Sequence, residues 1–306
     1  MFYACKSENK SKIAVVSSEE IVTPFFEISL AQWSLNRAFR SKKLPPMDFA
    51  KKAKELGFTA VEYVSGLYTS GMKEEDKSVM IPQIAKKLKE QSDLYGIKNV
   101  LIMIDGEGDL AHSDKLVRDK AIENHVRWLN AAVTLGCTSI RVNLSPNRSI
   151  SAADWHTNSV DGLGRLVLIA AKMNINVIVE NHGGFSSDGA KLAAVMAVIN
   201  KPNCGTLPDF GNFCISRDAK GACSNLYDMY KGVSELMPYA KGVSAKSYEF
   251  DADGNETKID YVKMLRIVKD AGYTGHIGIE YEGGGLSEEE GIIATKKLLL
   301  KAASKL

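Results

Sequence analysis

The sequence predicts an α/β protein made of a single (β/α)8 barrel, and three observations support this fold class. From residue 25 onward, short apolar and β-branched runs alternate with longer segments of helical period. Eight such runs begin 28 to 41 residues apart, which leaves room for a crossover helix after each strand. No Pro-, Gly- or Ser-rich linker interrupts them, so one barrel domain is expected over residues 25–306.

The predicted strands are continuous apolar runs because helices cover both faces of a parallel sheet. They are placed at residues 26–30, 60–64, 98–104, 139–142, 177–180, 205–207, 242–245 and 277–280. A doubly wound sheet is the alternative, and it requires a glycine-rich phosphate-binding turn after its first strand. Residues 30–34, Leu-Ala-Gln-Trp-Ser, contain no glycine, which favours the barrel.

Four connecting helices are predicted with their ends, because glycine is the usual residue just past a helix C-terminus. Each of these glycines precedes the next predicted strand by only a few residues. The helices are placed at residues 47–56, 81–95, 119–135 and 261–271, and the glycines are Gly57, Gly96, Gly136 and Gly272.

Composition and charge exclude several classes of protein. The chain has 39 Lys and Arg against 37 Asp and Glu, a formal charge of +2, with 45% hydrophobic and 25% charged residues. These values are those of an ordinary globular protein. A nucleic-acid-binding protein normally has a basic excess on one face. A formal charge of +2 provides no such excess, so this class is not expected. No apolar run reaches the ~18 residues that span a bilayer, so no integral membrane segment is expected.

The five cysteines contain no Cys-x-x-Cys pair, so neither a disulfide framework nor a zinc site is expected. Cys137 and Cys204 adjoin strand-like runs and are expected to be buried. Cys5 follows Phe-Tyr-Ala, which resembles the end of a bacterial lipoprotein signal, although the upstream regions of an export signal are missing. Residues 1–24 are therefore expected to be a tail, either a frayed terminus or the remnant of a signal and tether. The expected location is cytoplasmic as written, or the cell envelope or periplasm if a longer precursor exists with Cys5 acylated.

Polar side chains follow the predicted strands at the end where barrels place their active sites. Residues two apart on a strand project to the same side, so several of them form same-side pairs. The candidate residues are Gln32, Trp33, Glu62, Asp105, Arg141, Asn143, Glu180, His182, Asp209, Asn212, Ser244, Lys246, Glu280 and Glu282.

Three of these acids, Glu180, Asp209 and Glu280, follow predicted strands five, six and eight. Carboxylates that converge repel one another and lose hydration, so their convergence favours a bound cation or proton. A divalent metal is the cation this argument indicates. Taken singly, each acid can instead cap a helix or pair with Arg141 or Lys246.

Four segments resemble the xylose-isomerase-like TIM-barrel superfamily of sugar isomerases and epimerases. They are residues 179–184 (Val-Glu-Asn-His-Gly-Gly), 207–213 (Leu-Pro-Asp-Phe-Gly-Asn-Phe), 243–246 (Val-Ser-Ala-Lys) and 278–283 (Gly-Ile-Glu-Tyr-Glu-Gly). The resemblance implies one divalent ion held by Glu, Asp, His and Glu on strands five to eight. Glu180, Asp209 and Glu280 match this set. Ser244 replaces the strand-seven histidine, and Asn212 replaces a second histidine.

Three interpretations of the metal follow from this departure. A site for Mg²⁺ or Mn²⁺ persists on the three carboxylates, His182 substitutes as a ligand, or the metal has been lost. For His182, hydrogen bonding within its own loop is favoured over metal ligation.

The implied activity is proton transfer beside a sugar carbonyl through an ene-diolate, which needs a base, an acid and a positive charge. Glu180 and Glu280 are predicted to exchange the proton and Lys246 to neutralise the oxyanion. The predicted substrate-binding residues are Gln32, Trp33, Glu62, Arg141, Asn143, His182, Asn212 and Glu282.

The expected partner is a small-molecule carbohydrate, with no nucleic acid, and a homo-oligomer is left open. A keto-polyol dehydratase or lyase of the same superfamily begins with the same proton abstraction and is the nearest alternative. A sugar-binding barrel that has lost its metal and its catalysis is the alternative from a different class.

Overall fold

The computed structural model describes residues 23–144 and 150–306. Eight parallel strands form one sheet, in the order β6-β5-β4-β3-β2-β1-β10-β9. The ten strands of the described chain are β1 Glu27–Ala31, β2 Ala60–Val64, β3 Lys98–Met103, β4 Ser139–Val142, β5 Asn176–Glu180, β6 Cys204–Leu207, β7 Cys214–Arg217, β8 Cys223–Leu226, β9 Val243–Ser247 and β10 His276–Tyr281. Strands β7 and β8 form a separate antiparallel hairpin.

The sheet closes on itself where the segment after β6 meets β9. Two isolated parallel bridges join Thr206 to Ala240 and Asp209 to Ser244. The Phe210 N–H donates to the Ser244 carbonyl at 3.0 Å, and the Ser244 N–H donates to the Pro208 carbonyl at 2.9 Å. The predicted single (β/α)8 barrel is therefore confirmed, with its last seam formed by a short loop contact.

Helices pack around this barrel and alternate with its strands. They are α1 Asn36–Arg40, α2 Phe49–Glu55, α3 Gly66–Thr69, α4 Glu74–Tyr95, α5 Lys115–Leu135, α6 Ala152–Ala171, α7 Gly189–Ile199, α8 Met229–Leu236, α9 Tyr261–Asp270 and α10 Glu288–Ala303. Short 3-10 turns occur at Gln32–Leu35, Pro46–Asp48, Gly184–Ser187 and Met237–Tyr239. No helix of the described chain has the length and apolar character that crossing a membrane requires.

The strand predictions agree with the structure to within two residues at every end. Helix ends also agree, and the backbone at Gly96 and Gly136 is left-handed (φ 63° and 75°), as a helix-ending glycine requires. Two predicted starts, at residues 81 and 119, were wrong, because the helices begin earlier, at Glu74 and Lys115. The first of these helices, α4, also contains Pro82. Its first turns are largely exposed and carry no apolar period that the sequence could show.

The main core lies between the strands and the surrounding helices. A second, smaller apolar cluster includes Met103, Ile178 and Leu207, which come from three different barrel strands. Cys137 and Cys204 are free thiols and buried, as predicted. Residues 1–22, with the signal-like segment and Cys5, lie outside the described chain.

Gly278 on β10 makes room for an acidic side chain. A Cβ atom at this position would lie 2.5 Å from Oε2 of Glu62, a buried residue of β2. Because a strand in the middle of a closed sheet moves little, the glycine is needed for the carboxyl group to fit.

We predict that Gly278→Ala lowers the free energy of unfolding by about 1–3 kcal/mol through overpacking. Urea denaturation of the variant and the native protein measures the difference. Gly284→Ala is the matched control, since a Cβ there has no neighbour within 4 Å and its φ is not in the left-handed range. Equal stability of both variants would contradict the steric role of Gly278.

Candidate active site

Three carboxylates meet at the carboxyl end of the barrel. Glu180 ends β5, Asp209 follows β6 and Glu280 lies in β10, and one oxygen from each lies within 4.8 Å of the others. All three are at most 4% exposed. The convergence expected from the ends of the strands is therefore present in the fold.

Hydrogen bonds to two neighbouring segments of the barrel and to its own loop hold Asp209 in place. The Asn181 side chain accepts a hydrogen bond from the Asp209 N–H (2.7 Å) and donates one to its carbonyl (3.0 Å). Oδ1 of Asp209 accepts the N–H groups of Gly211 and Asn212, each at 2.8 Å. The Ser244 hydroxyl donates to Oδ2 at 2.7 Å. The residue that stands for the implied histidine thus acts as a hydrogen-bond donor to the neighbouring carboxylate.

Lys246 brings a buried positive charge into this cluster. Its Nζ lies 2.7 Å from Glu280, 3.1 Å from Glu282 and 3.7 Å from Asp209, and the residue is 1% exposed. Removing an ammonium from water is costly unless opposite charges surround it. The three carboxylates provide that compensation, and each of them gains a fixed counter-charge in return.

Arg141 provides the second cation, on the opposite side of the cluster. Its Nε lies 2.8 Å from Oε2 of Glu180, and Nη1 donates to Asp105 at 2.7 Å. The Asn143 amide donates to the same Asp105 oxygen at 3.1 Å, and the Asn212 amide donates to Oε1 of Glu180 at 3.0 Å. Arg141 and Asn212 thereby cover the Glu180 carboxylate.

The acidic groups respond differently to their surroundings. Burial raises the pKa of Asp209 to about 6, and the charges of Glu180 and Glu280 add to this against the opposing effect of Lys246. Burial alone would also raise the pKa of Glu280, but the adjacent Lys246 ammonium outweighs it, so that this pKa is lowered. For Glu282 burial dominates and the pKa is raised. Glu280 is thus ionised at neutral pH.

A cavity of about 650 Å³ opens above these groups. The predicted site residues that line it are Trp33, Arg141, His182, Asn212, Glu280 and Glu282. Its wall also includes Asp105, Tyr248, Cys214 and Arg217. The three residues Glu180, Asp209 and Lys246 lie directly beneath the cavity floor and contact the side chains that form it.

Three predicted substrate-binding residues do not line the cavity: Asn143, whose amide donates to Asp105, and Gln32 and Glu62. The Gln32 amide donates to the Tyr68 hydroxyl at 2.6 Å and accepts the Val64 N–H at 2.9 Å, so it joins two segments of the fold. Glu62 points into the barrel, where the Ser29 hydroxyl donates to it at 2.6 Å. Sequence spacing places Gln32 and Glu62 at the carboxyl end of a strand. It does not show that other residues of the fold already form hydrogen bonds with their side chains.

His182 lies exposed at the cavity edge, beyond the end of β5. It is not part of the acidic triad, and the structure provides no contact that would make it a substitute metal ligand. Ser186 accepts its backbone N–H at 3.1 Å. This bond holds the backbone of the loop, and the role of the His182 imidazole stays a prediction.

Tyr248 is a cavity residue that the sequence analysis missed. It lies two positions beyond Lys246, so the same alternation that pairs Ser244 with Lys246 could have indicated it. Gly211 allows its close approach, because a Cβ there would lie 2.7 Å from the Tyr248 hydroxyl and 2.8 Å from the Lys246 Cγ atom.

The β7–β8 hairpin carries Cys214 and Arg217 to the cavity. A disulfide joins Cys214 to Cys223 across the two strands, nine positions apart in sequence. From the sequence no disulfide framework was expected, and this single bond was not identified. A spacing of nine gives no periodic signal, and only the antiparallel pairing of the strands shows that the two sulfur atoms meet.

Active sites of (β/α)8 barrel enzymes lie at the carboxyl end of the strands, which is where this acidic cluster and cavity are found. The sequence matches the family model described as xylose isomerase-like TIM barrel over residues 50–302. The chain belongs to this family, which confirms the resemblance seen in the strand-end segments.

Solved structures with the same fold include two sugar-epimerase proteins. A D-tagatose 3-epimerase-like protein is 20% identical, with a TM-score of 0.68 over 92% of this chain and 98% of its own. The 3-keto-D-glucoside 4-epimerase of E. coli is 14% identical, with a TM-score of 0.67 over 89% of this chain and 98% of its own. Among characterised sequences, a 3'-dehydrocarminate deglycosidase alpha subunit from Microbacterium sp. is 21% identical over 65% of this chain and 72% of its own.

We predict that Glu62 makes the stability of the fold depend on pH. Burial raises its pKa from 4.5 to about 8, so the folded chain keeps a proton that the unfolded chain releases. Its contribution to stability is complete below about pH 4.5 and is lost as the pH rises toward 8. Glu62→Gln should therefore exceed the native protein in stability by a few kcal/mol at pH 8.5, at about 1.4 kcal/mol per pKa unit.

Urea denaturation at pH 5, 7 and 8.5 measures this difference. The exposed Glu90→Gln on α4 serves as the control and should follow the native protein at each pH. If the difference in stability between Glu62→Gln and the native protein is the same at all three pH values, the prediction that Glu62 is protonated in the folded chain is wrong.

We predict that the disulfide stabilises the β7–β8 hairpin locally. A cross-link that closes a loop of about ten residues restrains the unfolded segment by about 3 kcal/mol in the chain-entropy description. In the Cys214→Ser/Cys223→Ser variant, amide hydrogen exchange should accelerate at residues 214–226, while amides of β5 serve as the internal control. Unchanged exchange in the hairpin would show that its packing alone holds it.

Proposed function

We propose that this protein is a sugar isomerase or epimerase that moves a proton beside a carbonyl group through an ene-diolate, with the assistance of a divalent cation. The observation that carries the proposal is the buried triad of Glu180, Asp209 and Glu280 beneath a polar cavity at the catalytic end of the barrel. The epimerase names of the two structures with the same fold support the same class of reaction.

The donor set fits a hard divalent cation. It consists of three carboxylate oxygens, the ligands that Mg²⁺ and Mn²⁺ prefer. Oε2 of Glu180 is buried and forms an ion pair with the Arg141 Nε at 2.8 Å, but it accepts no hydrogen bond of good geometry within the described chain. The carboxyl groups of Asp105, Glu180, Asp209, Glu280 and Glu282 outnumber Arg141 and Lys246, the two buried cations that they contact.

Glu180, Asp209 and Glu280 would hold the cation, and Ser244 would remain a hydrogen-bond donor to Asp209. When bound, such a cation supplies positive charge that stabilises the oxygens of an ene-diolate. The absence of an imidazole at position 244 favours Mg²⁺ or Mn²⁺ over softer metals, because every remaining ligand is an oxygen.

Glu280 and Glu180 are the residues that would transfer the proton. Glu280 lines the cavity and is held ionised by Lys246, so it is the group that can accept a proton from a bound sugar. Glu180 exchanges the proton from beneath the cavity floor, which requires Arg141 and Asn212 to move off its carboxylate when substrate binds.

Lys246 acts through its ion pair with Glu280. Its ammonium is engaged by three carboxylates below the floor of the cavity, so it controls the charge of Glu280 and Glu282. The residues placed to hydrogen-bond sugar hydroxyls are Arg141, His182, Asn212 and Glu282, all of which line the cavity.

A lyase acting on a keto sugar is the second candidate. The relative from Microbacterium is named as a deglycosidase of a 3'-dehydro substrate, and elimination beside a ketone begins with the same proton abstraction. The same buried acids and the same cavity serve both reactions, so the product distinguishes them.

We expect the metal-loaded protein to catalyse exchange of solvent deuterium into at least one member of a panel of ketoses, keto-polyols and 3-keto-glucosides. Glu280→Gln and Glu180→Gln should lose at least about 100-fold of the exchange rate, the contribution typical of a positioned acid or base. Proton NMR in D₂O follows the exchange and identifies whether an epimer, an isomer or an elimination product forms.

Metal content is measured in parallel after loading with Mn²⁺ or Mg²⁺. Asp209→Asn should lower the bound metal and the exchange rate together, whereas the exposed Glu123→Gln on α5 should change neither. If the metal-loaded native protein exchanges no deuterium into any member of the panel, the proposed proton transfer is wrong. Sugar binding without exchange would then support a non-catalytic sugar-binding barrel.

A further inference from the structure

A second cavity, of about 480 Å³, adjoins the candidate active site. The two cavities share Trp33, Val64 and Asp105, which form the boundary between them. The second cavity extends away from the acidic cluster toward α1 and the segment that follows it. A ligand that passes Trp33 therefore reaches both spaces.

The walls of the second cavity differ in chemistry from those of the first. Apart from the shared boundary, its apolar surface comes from Phe39, Pro46 and Leu67. The first cavity instead has carboxylates, the two guanidinium groups of Arg141 and Arg217, and an amide on its wall. The second cavity is therefore suited to a flat apolar group and offers few partners for the hydroxyls of a sugar ring.

Two cations face this apolar surface. Arg40 and Lys42 line the second cavity, and the Arg40 guanidinium lies 4.7 Å from the centre of the Trp33 ring. Neither has a carboxylate within 4 Å among the ion pairs of residues 23–144 and 150–306. The acid on the shared boundary, Asp105, is already engaged by Arg141 and Asn143. The charge in this cavity is thus positive and available to a ligand.

The first cavity alone, at about 650 Å³, is within the range of roughly 300–1,000 Å³ that small-ligand sites have. A single sugar ring has no need of the second. A ligand that occupies both must join a polar ring to an apolar group with a negative charge. Aromatic faces and guanidinium groups bind such groups by stacking and by ion pairing.

We infer that the second cavity is a binding site for the aglycone of a glycoside, and that this aglycone is an aromatic ring with an acidic substituent. This inference rests on the proposed function, because it places the sugar ring of the same molecule in the cavity above Glu280. Trp33 lies between the two parts of the ligand, and Arg40 and Lys42 bind the acidic substituent.

Equilibrium binding tests the inference without any turnover. Isothermal titration calorimetry compares 4-carboxyphenyl β-D-glucopyranoside with phenyl and methyl β-D-glucopyranoside. We expect the carboxyphenyl glycoside to bind at least tenfold more tightly than the methyl glycoside, with the phenyl glycoside between them. Equal affinities, or no binding of any of the three, would overturn the inference.

The Arg40→Gln/Lys42→Gln variant separates charge from apolar contact. It should reduce the affinity for the carboxyphenyl glycoside to about that for the phenyl glycoside. Lys43→Gln is the matched control, since Lys43 is an exposed lysine in the same loop that lines neither cavity. These side chains lie at the surface, and thermal unfolding checks that each variant is folded. A loss of affinity as large in Lys43→Gln would show a non-specific charge effect and overturn the assignment.

Failure of the inference and failure of the proposed function give different results. If deuterium exchange is absent but the preference for the carboxyphenyl glycoside depends on Arg40 and Lys42, the aglycone site is supported and the proposed reaction is wrong. If exchange occurs and no such preference exists, the reaction stands and the aglycone site is overturned.

Discussion

The burial of opposite charges at one end of the barrel is the constraint on which the site depends. Glu180, Asp209 and Glu280 can lie this close only because Arg141 and Lys246 are buried with them. Each cation is held in turn by more than one acid, so a change in one group affects the others. The resulting network fixes the floor of the cavity, and its carboxyl groups outnumber the two buried cations.

The residues that close the barrel also form part of the candidate site. The sheet is completed where Asp209 bridges to Ser244, and the Ser244 hydroxyl donates to the Asp209 carboxylate at that seam. Small residues make the arrangement compact, since Gly211 admits Lys246 and Tyr248 side by side. A hydroxyl at position 244 occupies little space and keeps Asp209 oriented, which an apolar side chain there would not do.

The strand ends could be predicted from the sequence, whereas the partners of their side chains could not. Apolar runs and helix-ending glycines are local signals, and they located every barrel strand. The direction of Gln32 and Glu62, and the covering of Glu180 by Arg141, depend on residues that are distant in sequence. The disulfide of the β7–β8 hairpin and the first turns of α4 were missed for a related reason. Neither feature has an apolar period, because both lie largely at the surface.

The sequence by itself determined the barrel and the strand that carries each acid, because these follow from order and spacing along one chain. The resemblance to the family then showed that Ser244 stands where a histidine is implied. Only the tertiary structure decided which charges neutralise one another, which residues reach the cavity, and that a second cavity adjoins the first at Trp33. The physical reason is that electrostatic and steric contacts act over a few ångströms in space. Closure of the barrel brings residues within that distance whose separation along the chain gives no indication of it.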